Sequence, residues 1–306
     1  MQPQQSSPQE TAPEPKVSVI VVTWNSIEAL RKCLAALNAS RERAQFEVLV
    51  IDLGSRDGCG QLDAEFPNVT FLRLPRNFGR TRARNIGMRT ALAELVFLLD
   101  PEAEVAPGTV LALAAAVEAD EQAVAAVPRL LDAAGQALPL GCKLPGRKAL
   151  AAACRENRAL PLGPAVGTVE SSSDAALMVR KSFLRGMNYF DEKRFSEFWV
   201  ELELFWQIRN AGKRVLVVES PVTLHARRTS VQVPRSEQAL LAADRIAAAA
   251  SYLGKHAGFL TMLGFKLGQL AGALGMIFRE PGYGLRLAFC ILSGARVDGT
   301  QGGVLG

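Results

Sequence analysis

Histidine is nearly absent from this 306-residue chain, which holds only His225 and His256. A Ser-His-Asp triad therefore has few candidates, and no serine sits in a G-x-S-x-G elbow. The five cysteines, Cys33, Cys59, Cys142, Cys154 and Cys290, are widely spaced and form no C-x-x-C pair. They indicate neither a zinc site nor a disulfide framework, and a reducing cytosolic compartment is the simpler expectation. A P-loop is missing, and glycines 54, 58 and 60 do not make G-x-G-x-x-G, which disfavours a dinucleotide fold. The opening stretch MQPQQSSPQETAPEP has no basic region followed by an apolar core, so it does not read as a signal peptide. Residues 1–16 are expected to form a disordered leader. The net charge of +5 is a mild basic bias that suits anionic phosphates or a membrane surface as well as nucleic acid.

What is present is an alternation of strands and helices. VSVIVV, from Val17, is a continuous β-branched run, the pattern of a strand covered on both faces. It ends in Thr23-Trp24-Asn25-Ser26, where Asn25 or Ser26 can cap a helix with Ala29, Leu30, Cys33, Leu34 and Leu37 at helical spacing. A second strand, Phe46 to Asp52, meets a turn over residues 54–58. A third, Val69 to Leu74, leads through Asn77 and Gly79 to a helix over Thr81 to Leu92. LVFLLD is the fourth strand. Four alternations signal a doubly wound, mostly parallel sheet. Ligands in such sheets sit outside the carboxyl ends of the strands, where Thr23, Asp52 and Asp100 fall.

The most informative string is LVFLLDPEAEV, Leu95 to Val105. A buried apolar strand has no use for charge, so Asp100, Glu102 and Glu104 at its exit must face water, a cation or a ligand. Residues two apart on an extended segment point to one side, so Asp100 and Glu102 can converge on a divalent ion.

VSVIVVTWNS, VIDLGSRDG, RNFGRTRARNIG and LLDPEAEV follow one another in an order and spacing that resembles glycosyltransferase family 2, especially its bacterial rhamnosyltransferase-like branch. The similarity continues through VPRLLDAAGQALP and FDEKRF and covers roughly Val17 to Ser230. The resemblance implies a GT-A fold over 17–235. It further implies an inverting transferase that moves a sugar from a UDP, dTDP or GDP sugar to a glycan or lipid-linked acceptor in bacterial cell-surface polysaccharide synthesis, with no nucleic-acid partner. In that frame Thr23 and Asp52 match positions that hold the base and ribose. Asp100 and Glu102 match the D-x-D motif that holds Mg²⁺ or Mn²⁺, and His225, five residues before Ser230, matches a histidine near the metal. Arg82 and Arg84 lie on the helix above the donor cleft, where they can contact phosphate.

The departures from the family pattern are specific. Leu53 stands where Asp or Asn is usual, Glu102 where the second metal acid is Asp, and Asp174 where a glycine lines the donor loop. The acceptor motif E-D-x-D-L falls on Val200-Glu201-Leu202-Glu203-Leu204, which makes Glu201 the expected general base. Glutamate supplies the same group as aspartate on an arm longer by about 1.5 Å. The alternative reading is a catalytically silent GT-A domain that binds nucleotide or partner proteins. A nucleotidyltransferase would need a glycine-rich, basic first turn that is lacking.

After Ser230 the character changes, and residues 236–306 are expected to form a helical extension. SEQALLAADRIAAAASYLGKH reads as a helix, and Phe259 to Phe278 gives twenty residues with one charge, Lys266. Gly264, Gly268 and Gly272 recur every four residues, spacing that lets another helix approach or supports a homodimer. Lys255, Lys266, Arg279 and Arg286 would suit anionic headgroups. The expected location is the cytoplasm, peripheral at the inner face of the membrane.

Overall fold

The computed structural model describes residues 14–225 and 235–297. The expected leader, residues 1–16, lies outside the described residues apart from its last three, as does Ser230. The chain opens with β1 (Val17–Thr23), α1 (Ile27–Asn38), β2 (Phe46–Asp52), α2 (Leu62–Glu65), β3 (Thr70–Arg73), α3 (Arg80–Thr90) and β4 (Leu95–Leu99). It continues with β5 (Ala103–Val105), α4 (Thr109–Ala119), β6 (Ala123–Leu131), β7 (Gly141–Cys142), α5 (Arg147–Arg155), β8 (Thr168–Val169), β9 (Ser171–Ser172) and β10 (Ala176–Arg180). Then come α6 (Lys181–Gly186), α7 (Val200–Asn210), β11 (Arg214–Leu224), α8 (Arg235–His256), α9 (Phe259–Met276) and α10 (Pro281–Ser293).

The sheet runs β3-β2-β1-β4-β10-β6-β11-β5. The first four strands in this order are parallel, and every residue of β1 and β4 is buried, as strands covered on both faces require. Beyond β4 the sheet becomes mixed: β10 is antiparallel to both β4 and β6, and β5 is antiparallel to β11. Register places Thr23 beside Asp52 and Val21 beside Leu99, so the carboxyl ends of β1, β2 and β4 form one edge. Ala176, at the start of β10, pairs with Leu99 and brings the preceding loop to the same edge.

Two expectations are corrected. Ser26 occupies the first position before α1 but makes no side-chain cap; Asp57 Oδ2 takes the Ile27 N–H at 2.8 Å instead, so the turn after β2 caps the helix after β1. The helix expected from Thr81 begins at Arg80. Within the chain the close backbone approach lies at Gly284, while in the α9 stripe Gly264 has Arg147 Nη1 at 3.2 Å from where its Cβ would be. A side chain at Gly284 would sit 3.0 Å from Ala273 O and 2.7 Å from Ile277 N, whereas Gly268 and Gly272 face open space.

The C-terminal helices share a continuous apolar core with the sheet. Asp244 of α8 is fully buried and accepts a hydrogen bond from Ser196 Oγ, and Arg245 O accepts the Trp199 indole N–H at 3.1 Å. α9 buries only Phe265, Gln269 and Ala273, one every four residues. Length and composition suffice for α9 to cross a membrane, with a mean hydropathy of 1.2 and only 17% of the segment buried.

Candidate active site

The floor of the site is the edge formed by β1, β2 and β4. Thr23 and Asp52 are both buried side by side there. Asp52 Oδ1 accepts the Ser55 N–H at 3.0 Å, Ser55 Oγ accepts the Asn25 N–H at 2.8 Å, and Asn25 Oδ1 accepts the Arg56 N–H at 2.8 Å. These bonds interlock the two loops that follow β1 and β2. Gly54 makes the turn with φ +73, and a Cβ there would meet Arg76 Cα at 3.0 Å, so only glycine fits. The pair is held rigidly at a strand edge, a placement suited to grip a flat polar ring. Leu53, the departure from the family pattern, is simply buried.

Above that floor lies an ion cluster. Arg80 and Arg84 stand one turn apart on α3, and both reach Asp174 Oδ2, at 3.1 and 2.8 Å. Both also lie 3.7 Å from Asp100 Oδ1. The Arg80 N–H donates to Glu197 Oε2 at 3.1 Å. Its guanidinium Nε and Nη1 are buried and make no hydrogen bond. Burial opposes the charge on Arg80, but Asp174, Glu197, Asp100 and Glu201 together hold it firmly protonated. Arg84, expected from sequence as a donor contact, is in the site and buried. Arg82 turns outward over the Phe78 ring.

α7 brings two acids of different character. Glu201 is half-buried, with an Oε2 that is fully buried and makes no hydrogen bond. Burial and the repulsion of Asp174, only partly offset by Arg80 and Arg84, push its carboxyl up to about 7. Glu203 is 2% exposed and lies on the buried side of the helix, bonded to Lys255 Nζ at 2.6 Å, His256 Nε2 at 2.6 Å and Gln207 Nε2 at 2.9 Å. The two acids of the acceptor motif therefore have separate roles: Glu201 faces the ion cluster and Glu203 anchors the C-terminal helices.

The strand pairing of β5 with β11 brings the acidic turn and His225 together at the backbone, where His225 N–H donates to Glu102 O at 3.0 Å. The imidazole turns elsewhere: His225 Nε2 lies 2.7 Å from Glu104 Oε1. Asp100 and Glu102 offer the hard oxygens that Mg²⁺ or Mn²⁺ prefers. Asp100, however, already faces two guanidinium groups, and among the described residues no three His, Cys, Asp or Glu side chains converge as metal ligands. The structure thus gathers Asp100, Arg84 and Glu201 in one ion cluster, sets Thr23 and Asp52 on the strand edge beside it, and does not group Asp100, Glu102 and His225 as a cation cage.

Sequence reasoning missed Arg80 and Glu197. Arg80 carried a legible signal, since it sits four residues before Arg84 on one helix face. Glu197 lies in the irregular approach to α7, where spacing says nothing.

Comparisons with known proteins bear on the family and the fold. A family model described as glycosyl transferase family 2 matches residues 18–136. The chain is 27% identical over 231 residues to an N-acetylglucosaminyltransferase of Mesorhizobium japonicum, a match that covers 72% of this chain and 53% of that protein. It thus spans about half the length of that relative. It is also 27% identical over 234 residues to the N-acetylglucosaminyl-diphospho-decaprenol L-rhamnosyltransferase of Mycobacterium tuberculosis, covering 68% of this chain and 75% of that one. Among solved structures, GalNAc-T7 with UDP, GalNAc and Mn²⁺ superposes with a TM-score of 0.54 at 18% identity, over 70% of this chain and 44% of that one. Residues 18–136 thus match the glycosyl transferase family 2 model, the chain resembles rhamnosyltransferase-like relatives, and it has the GT-A fold.

Proposed function

We propose that this chain is an inverting glycosyltransferase that takes a sugar from a nucleoside-diphosphate donor and passes it to a hydroxyl of a glycan or lipid-linked acceptor. The observation that carries this reading is Glu201. A carboxyl pushed up to about 7, with one oxygen buried and unbonded beside the ion cluster, has the pKa a general base needs near neutrality. In the reaction Glu201 takes the acceptor hydroxyl proton as that oxygen bonds to the anomeric carbon. The bond from anomeric carbon to phosphate oxygen breaks, and the nucleoside diphosphate leaves with its electron pair. Thr23 and Asp52 hold the nucleoside on the sheet edge, where a buried carboxylate can accept hydrogen bonds from base N–H or ribose hydroxyl groups.

The acceptor class draws support from two directions. The M. tuberculosis relative is named for a diphospho-decaprenol acceptor. In this chain, α9, α10 and the connection between them leave Leu260, Leu267, Phe278, Phe289 and Leu292 exposed, with Leu260 at 80% and Phe278 at 92%. Beside them, Lys266 and Arg279 are exposed as well. Such a surface, apolar with cations nearby, fits a bilayer headgroup boundary and would hold the transferase at the inner face of the membrane. A second reading, a silent nucleotide-binding module, is favoured by Asp174, which already occupies both arginines. Release of nucleoside diphosphate from a panel of UDP, dTDP and GDP sugars, with polyprenyl-diphosphate-linked and free glycan acceptors, separates the two. Turnover with one donor supports the transferase, and none with any supports the module.

A further inference from the structure

We propose that Arg80 and Arg84 form the cationic clamp for the donor diphosphate, with Asp174 as a built-in placeholder that the diphosphate displaces, so that nucleoside diphosphate binds without a divalent ion. This rests on the donor reading above, in which Arg84 already faces the phosphates, and adds Arg80, the displaced Asp174 and independence from a metal ion. The first support is geometric. Two guanidinium groups one helical turn apart converge on a single carboxylate oxygen, Asp174 Oδ2, at 3.1 and 2.8 Å, and planar guanidinium forks bind phosphate oxygens in the same way. The second is the state of Arg80. Its Nε and Nη1 are buried without an acceptor, because the nearest carboxylates, Glu197 at 3.8 Å and Asp100 at 3.7 Å, lie beyond hydrogen-bond reach. Buried donors left unbonded are costly, and a phosphate group brings the oxygens they lack.

The third support is charge. Asp100 and Asp174, the two acids that reach both arginines, match the two positive charges of Arg80 and Arg84, and Glu197 stands beside Arg80 as a third acid. A divalent cation placed on Asp100 would stand next to two fixed positive charges that share the same oxygen. Once Asp174 gives way, the same two charges face the diphosphate, with Asp100 and Glu197 as outlying counter-charges. Asp174 sits on the short connection between β9 and β10 rather than in a strand.

Calorimetric titration of the full chain with UDP, GDP and dTDP, in excess EDTA and again in Mn²⁺, tests the clamp. The expected result is an affinity for at least one diphosphate that differs by less than about threefold between the two conditions, because buried guanidinium contacts rather than a metal supply the charge. Arg80→Gln should weaken that binding by at least about tenfold, the loss of one charge-assisted contact. Asp174→Asn should strengthen it by about threefold or more by removing a competing anion while keeping an acceptor oxygen. A folding defect cannot raise affinity, so the Asp174 variant guards against misfolding in the Arg80 variant. Binding that requires Mn²⁺ overturns the clamp and leaves the transferase reading intact. So does binding indifferent to Arg80→Gln or weakened by Asp174→Asn. No binding of any diphosphate in either condition overturns both.

Discussion

Glu203 Oε2 lies 2.6 Å from His256 Nε2, and its other oxygen lies 2.6 Å from Lys255 Nζ, so one buried carboxylate ties the helix of the candidate base to the end of α8. His256 is further fixed by stacking on Trp206, with ring centroids 3.9 Å apart. Glu201 stands two residues before this anchor, so the C-terminal helices help set where that carboxyl sits.

That anchor has an acid signature. Burial pushes the Glu203 carboxyl up, but the hydrogen bonds from Lys255, Gln207 and His256 outweigh it and hold it below the usual range. A folded-state pKa below the ordinary 4.5 means the native state gives up its proton more readily, so this stability is present above 4.5 and is lost as pH falls through the lower folded value. Glu203→Gln should cost about 2–3 kcal/mol at pH 7 by leaving the cations uncompensated, and should flatten the fall in Tm at acid pH. Thermal unfolding across pH checks both, and a variant as stable as the parent at pH 7 would refute the anchor.

Glu201 should behave in the opposite sense. Its folded pKa of about 7 lies above the ordinary 4.5, so its contribution to stability is intact below 4.5 and is lost as pH rises through 7. Glu201→Gln should therefore raise the stability at pH 8, by roughly 1–2 kcal/mol after allowance for solvent screening, and leave it unchanged near pH 4. A loss of stability at pH 8 would show that the carboxylate is satisfied rather than strained.

The glycines of the C-terminal helices make a contrasting pair. Gly284→Ala should destabilise by about 1–3 kcal/mol, since its Cβ would press on the α9 backbone. Gly268→Ala, facing open space, should be neutral or stabilise by up to about 1 kcal/mol through helix propensity. Equal effects in a melt would contradict the packing of α10 on α9.

These cases show what the sequence could and could not carry. β1, β2 and β4 were legible because a strand buried on both faces must be apolar throughout, and the acids at their ends then had to mark the site edge. The mixed half of the sheet was not, because β10 meets β4 across 77 residues and no local pattern records that pairing. Glu201 was legible as a candidate base only through the family motif. Glu203 belonged to the same string, yet its burial depends on Lys255 and His256, 52 and 53 residues away. The spacing of Gly264, Gly268 and Gly272 suggested a helix contact, but the partner helix docks on the face holding Phe265, Gln269 and Ala273.

The exposed apolar face of α9 and α10 predicts sedimentation with anionic liposomes at low salt. Leu260→Glu combined with Phe278→Glu should reduce the bound fraction by about tenfold or more, since each buries a charge at the headgroup boundary, while Tm stays unchanged because both side chains are exposed. A parent chain that ignores liposomes would end the membrane reading.

The most direct test of the central claim is the single-turnover rate of Glu201→Gln with the donor and acceptor that the parent uses, measured beside its affinity for the nucleoside diphosphate. Glutamine keeps size and hydrogen bonding but cannot take the acceptor proton, so sugar transfer should fall by roughly 100-fold or more with diphosphate affinity preserved. The parent rate should also rise with pH through about 7, as the Glu201 carboxyl loses its proton. A variant that transfers sugar at the parent rate would show that Glu201 is not the base and contradict the mechanism.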